Sequence, residues 1–167
     1  MIGGGAVATV HLIHGLPGTG KTTFAGRLRR ETGSVLVNHD ERMIALHGRN
    51  PPAADMPRLV AEVSEQLWLE AARLAGTGSD VILDWGFWTR ADRDDARRRA
   101  QAAGAHFILY RMDCPLELAR ERTVARSRTD ESGAMVINGS AWDSFQRRFE
   151  SLGPDEDHRD VVAETRG

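Results

Sequence analysis

Gly15-Leu-Pro-Gly-Thr-Gly-Lys-Thr22 decides the fold of this chain. It fits the pattern G-x-x-x-x-G-K-[ST], in which glycine-rich backbone N–H groups wrap phosphates, a lysine reaches between them and a hydroxyl serves Mg²⁺. Of the 22 lysines and arginines in the sequence, Lys21 alone is a lysine. A compact ammonium fits that slot where a planar guanidinium does not. The stretch predicts that Gly15, Pro17, Gly18, Thr19, Gly20, Lys21, Thr22 and Thr23 hold the phosphates of a nucleoside triphosphate. No N-K-x-D guanine signature is present, which favours ATP.

Working outward, Thr9–His14 reads as a short buried strand running into the loop. A helix follows from Lys21 to about Arg30, with Phe24, Ala25 and Leu28 inward. Strand, loop and helix come in the order the motif requires, and the helix N-terminus adds partial positive charge. Further along, Ser34–Asn38 reads as a second strand, followed by a helical turn or two over 41–47. Apolar positions Val60, Val63, Leu67, Ala71 and Leu74 predict a helix from Met56 to about Ala75. Asp80–Asp84 is a third strand, Thr89 caps a helix over 90–103, and Ala105–Met112 is a fourth strand. Pro115 opens a helix to about Arg126, and 127–138 reads as a mobile polar loop. A last helix carries Trp142, Phe145 and Phe149, and Asp160–Glu164 a short fifth strand. Strands alternating with helices predict an α/β fold: a three-layer α/β/α sandwich around a mostly parallel five-stranded sheet.

Length and charge bound the function. The 167 residues predict one domain, 1–167, and a net charge of −2 makes no general case for a nucleic-acid coat. A single cysteine, Cys114, precludes an internal disulfide framework and fits a reducing cytoplasm. No signal-peptide pattern is visible, and no apolar run approaches the ~20 residues that span a bilayer. The six histidines show no metal-ligand spacing, and His14 and His39 read as packing residues or as supports for groups of a neighbouring site.

Chemistry is expected at the carboxyl ends of the strands. Asp84 closes the apolar run Val81-Ile-Leu83, the Walker B pattern, and with Thr22 is the expected Mg²⁺ pair. Asp40, after strand two, is the expected general base for an acceptor hydroxyl; capping a helix that starts at Glu41 is the other reading. Arg122 and Arg126 stand one turn apart before the polar loop. They are expected to stabilise the transferring phosphoryl group, the alternative being surface pairing with Glu117 and Glu121. Trp85, Phe87 and Trp88 leave two readings open: stacking on a ligand ring, or roof packing over the core.

With these residues assembled, the chain resembles the small P-loop kinases of the AAA_33, zeta-toxin and polynucleotide-kinase-like group, which includes the chloramphenicol phosphotransferase type. The resemblance runs from strand one through Arg122-Thr-Val-Ala-Arg126, which looks like the group's R-x-x-x-R lid element. It implies a P-loop kinase domain with a helical lid at about 115–138, using ATP and Mg²⁺. Phe149-Glu150 and Asp155-Glu-Asp157 look like the group's C-terminal stretch near the adenine. One departure is visible: polynucleotide kinases usually carry D-x-x-R after strand two, and here the order is Asp40-Glu41-Arg42-Met43. The expected function is an ATP-dependent transfer of phosphate to a hydroxyl of a small molecule. A polynucleotide 5′-hydroxyl kinase and a nucleotide-dependent regulatory protein are the alternatives.

Overall fold

The computed structural model describes residues 6–129 and 134–163. Five strands, β1 (Thr9–His14), β2 (Val35–Asn38), β3 (Val81–Asp84), β4 (His106–Asp113) and β5 (Arg159–Val162), form one sheet in the order β2-β3-β1-β4-β5. Every neighbouring pair is parallel. Parallel pairing requires crossovers, and helices α1 (Lys21–Thr32), α2 (His39–His47), α3 (Met56–Gly76), α4 (Arg90–Ala102), α5 (Leu116–Ser127) and α6 (Gly139–Arg148) supply them.

Side chains of a strand alternate between the two faces, and the core divides accordingly. Val10, Leu12, Val81, Leu83 and Leu109 face α3 and α4. Ile13, Ile82, Tyr110 and Met112 face Phe24, Ala25 and Leu28 of α1. The three layers are therefore built from one periodicity. A smaller cluster, Leu16, Ala119 and Trp142, packs α5 and α6 against the loop after β1.

Three expectations shift. The buried stripe of α3 is Leu59, Val63, Leu67, Trp68, Ala71 and Ala75, while Val60 lies 38% exposed. Leu59 and Val60 are adjacent apolar residues, and the position of the sheet selects Leu59. Asp40 is not a cap: α2 starts at His39, and Asn38 Oδ1 accepts from the Glu41 amide at 2.9 Å. The segment expected to be mobile is anchored where it is described. Met135 is buried, the Val136 amide donates to the Arg49 carbonyl, and the Ile137 amide to Ser127 Oγ. Residues 130–133 of the expected lid loop and Glu164 of the expected fifth strand lie outside the described residues. Among the described residues no helix is long and apolar enough to cross a membrane.

The C-terminal stretch is held by a buried ion pair. Arg93 donates through Nε and Nη2 to Glu156 at 2.7 and 2.9 Å, and both side chains are almost fully buried. Its remaining N–H groups reach the carbonyls of Phe87, Trp88, Glu150 and Ser151. The guanidinium hydrogen bonds hold the Glu156 carboxyl down from 4.5 to about 2. A depressed carboxyl contributes stability that is complete above its unfolded value and is lost as pH falls through the folded one. Glu156→Gln is expected to cost about 3 kcal/mol at neutral pH, because it strands a buried guanidinium. The wild type is expected to lose that advantage progressively between pH 4.5 and about 2. Denaturant midpoints of the two proteins across that range check it; parallel curves would contradict it.

Candidate nucleotide and phosphoryl-transfer site

The loop after β1 leaves the sheet at a switch point: β1 continues by way of α1 to β2 on one side, while β4 lies on the other. Gly18 (φ +85°) and Gly20 (φ +92°) adopt left-handed backbone that a side chain would strain. A Cβ on Gly18 would also fall on the Ala119 carbonyl oxygen of α5. α1 begins at Lys21 with no side-chain cap and no acid in its first turn. Its first amides therefore face the loop's cavity without an internal competitor, the arrangement that suits an anion.

The predicted residues come together at the ends of β1, β2 and β3. Thr22 Oγ1 donates to Asp84 Oδ2 at 2.9 Å, and Asn38 Nδ2 donates to the same oxygen at 2.7 Å. Lys21 Nζ donates to the Leu16 carbonyl at 2.9 Å. Burial pushes the Lys21 ammonium down, and the carboxylates of Asp84 and Asp40 pull it back up. Burial pushes the Asp84 carboxyl up, while Lys21 and the Thr22 hydrogen bond oppose it. Asp40, on the first turn of α2, is exposed and close enough to act on both charges. Gly15 is buried, and Thr19 turns its hydroxyl inward onto the Leu16 carbonyl at 2.7 Å. Thr19 therefore shapes the loop, since its amide also turns onto the Leu16 carbonyl, at 3.4 Å.

Arg122 and Arg126 line a cavity of about 580 Å³ with Gly18, Gly20 and Thr23 of the loop region. Phe24, Arg27, Arg30 and Met112 complete its wall, and Val161, Val162 and Ala163 close it from the end of β5. α5 is seated by its buried residues Ala119 and Thr123, so the two arginines project from a helix fixed against the phosphate loop. Phe149-Glu150 and Asp155-Glu-Asp157, which the resemblance placed near the adenine, are held by contacts within the chain. Phe149 stacks on His14 with ring centroids 4.6 Å apart, Glu150 accepts from the Arg90 amide, and Asp155 and Glu156 engage Arg90 and Arg93.

The aromatic loop after Asp84 is roof packing. Trp85 stacks on Phe87 and meets Trp68 edge-on, while Trp88 lies against Phe145. Phe87 takes a positive φ of 47°, and its carbonyl receives both His14 Nδ1 and Arg93. His14 is fully enclosed, and burial, with Arg93 nearby, lowers its pKa to about 4. It is a neutral packing residue at pH 7, as its isolated position in the sequence suggests.

Asn38 is the residue that sequence reasoning missed. It caps α2 with its oxygen and holds Asp84 with its nitrogen, tying the helix that carries the expected base to the strand that carries the expected metal acid. Its signal was present as Asn38-x-x-Glu41, the spacing of a helix cap three residues before an acid.

A parallel sheet ordered 2-3-1-4-5, with a phosphate loop after its central strand and acids after the next two, has the P-loop kinase fold. Solved structures agree on that fold. A candidate kinase from Chloroflexus aurantiacus is similar with a TM-score of 0.77 at 18% identity, over 93% of this chain and 88% of that one. The APS kinase CysC of Mycobacterium tuberculosis, solved with AMPPNP and APS, is similar with a TM-score of 0.62 at 19% identity, over 96% and 91%. The AAA_33 family model (AAA domain) matches residues 10–152, and the chain belongs to that family. An uncharacterised protein of Mycobacterium tuberculosis is 26% identical over 174 residues, covering 90% of this chain and 35% of that protein. The chain thus spans about a third of the length of the curated relatives it matches.

Proposed function

We propose that this chain is an ATP- and Mg²⁺-dependent kinase that transfers the γ-phosphate to a hydroxyl of a small molecule in the cytoplasm. The observation that carries the reading is the convergence on one loop of Lys21, the hydrogen-bonded Thr22–Asp84 pair and Asp40, with Arg122 and Arg126 lining the adjoining cavity. Loop amides and Lys21 bind the β- and γ-phosphates. Arg122 and Arg126 face the charge that spreads over the transferring group. Asp40 orients the acceptor hydroxyl and takes its proton.

The donor set fits Mg²⁺. Thr22 and Asp84 offer one hydroxyl and one carboxylate whose burial disfavours its charge unless a cation is near. Among the described residues no group of three or more histidines, cysteines or acids forms a metal cage, and Mg²⁺ needs none, since it is held by one or two carboxylates together with phosphates. Bound there, it would neutralise charge on the phosphate oxygens.

A small acceptor is favoured over a nucleic acid because the region around Asp40 offers acids, Asp40 and Glu41, while Arg42 is taken by Glu70 at 2.7 Å. A strand of phosphates would meet repulsion there. The test is transfer of label from γ-labelled ATP to a panel of small alcohols and to a 5′-hydroxyl oligonucleotide across a salt series. Label on a small alcohol is the expected result. Label on the oligonucleotide with steep salt dependence would replace the acceptor with a polymer end. ATP binding without transfer to any acceptor would favour a regulatory protein.

A further inference from the structure

A phosphate loop grips anions only while its amides face inward and its carbonyls face away. Turned outward, those carbonyls meet packed protein rather than water, and each requires a donor. Here three consecutive carbonyls are served by side chains. The indole Nε1 of Trp88 donates to the Gly15 carbonyl at 3.2 Å, and that of Trp142 to the Pro17 carbonyl at 3.1 Å. Between them the Leu16 carbonyl accepts from Thr19 Oγ1 and Lys21 Nζ.

Both indoles are themselves fixed. Trp142 is 1% exposed and belongs to the cluster that packs α6 on Leu16. Trp88 lies on Phe145 with centroids 4.6 Å apart, under the Arg148 guanidinium. A Cβ on Gly86 would strike the Trp88 ring, so a glycine is needed to let that indole lie where it does. The donors come from two distant places, the loop after Asp84 and α6, and end on the outer side of one tight turn.

We infer that Trp88 and Trp142 are positioning residues for the triphosphate: their indole N–H groups hold the Gly15 and Pro17 carbonyls outward and so keep the loop amides aimed at the phosphates. The inference rests on the proposed kinase reading and adds two residues to it. Neither indole lines the cavity beside the loop. Their effect passes through the orientation of two peptide groups.

The test compares Trp142→Phe and Trp88→Phe with Trp68→Phe, whose ring packs in the α3 core against Trp85 and Phe87 and donates nothing to the phosphate loop. Calorimetric titration with ATP, and with inorganic tripolyphosphate, gives affinity; steady-state rates give KM and kcat; thermal unfolding gives stability. Loss of one hydrogen bond to the loop is expected to weaken ATP and tripolyphosphate alike by about tenfold and to raise KM by the same factor. kcat is expected to change much less, and Trp68→Phe to lower the melting temperature with affinity unchanged. Should Trp142→Phe fail to fold, benzothienylalanine at 142 retains the ring shape and removes only the donor. Wild-type affinity in the loop variants overturns the inference, as does an equal loss in Trp68→Phe. A wild-type protein that binds no ATP overturns the kinase reading, and the inference with it.

Discussion

Lys21→Ala is expected to weaken ATP binding by about 10²-fold or more and to take phosphoryl transfer down with it. The ammonium is half-buried at the start of α1, where burial already works against its charge and the carboxylates of Asp84 and Asp40 sustain it. A triphosphate placed in the loop offers that ammonium a stronger partner than the Leu16 carbonyl it holds here. Removing it leaves the phosphates to the amides alone, in a site where charge is poorly screened. Lys21→Arg is not expected to rescue, because the guanidinium fork is wider than the slot between the phosphates. Calorimetry with ATP decides the matter. Wild-type affinity in Lys21→Ala would detach the loop from nucleotide binding altogether.

Asp40→Asn is expected to act in the opposite pattern, leaving ATP affinity near wild type while lowering kcat by about 10²-fold or more. The substitution keeps size and removes the basic oxygen. It should not unfold α2, because the capping bond is made by Asn38 and Asp40 is exposed on the first turn. The experiment is paired: nucleotide titration and labelled-phosphate transfer on one preparation. Unchanged turnover would remove Asp40 from the chemistry and leave the acceptor without its base. The two variants separate the halves of the proposed reaction, in which Lys21 is assigned to the donor and Asp40 to the acceptor.

Much of this site is local, and local features are readable along the chain. Gly15–Thr22 and Thr9–His14 are one continuous element whose backbone angles and hydrophobic run leave few alternatives. The strand came out with the predicted bounds, and Gly18 and Gly20 take the positive φ that only glycine tolerates easily. Asp84 could be picked out because an acid ending an apolar run must lie at the rim of a sheet. The face of α3 was less readable. Leu59 and Val60 both satisfy a period of three or four, and only the neighbour that the helix meets distinguishes them. Asp40 lost its alternative role for a similar reason: α2 starts two residues earlier than expected, so Asn38 is its cap and Asp40 already lies inside the first turn.

Order along the chain was enough to specify a strand, a glycine-rich turn and a helix, and with them the parallel α/β architecture, because each depends on residues within a few positions of one another. Long-range meetings were beyond it. The Asn38–Asp84 bond, the Arg93–Glu156 pair and the two indoles behind the loop join residues 46, 63, 73 and 125 positions apart. Such contacts exist only once the sheet has stacked its strands side by side, since a side chain's pattern in sequence records which face is apolar but not which distant group will stand opposite it.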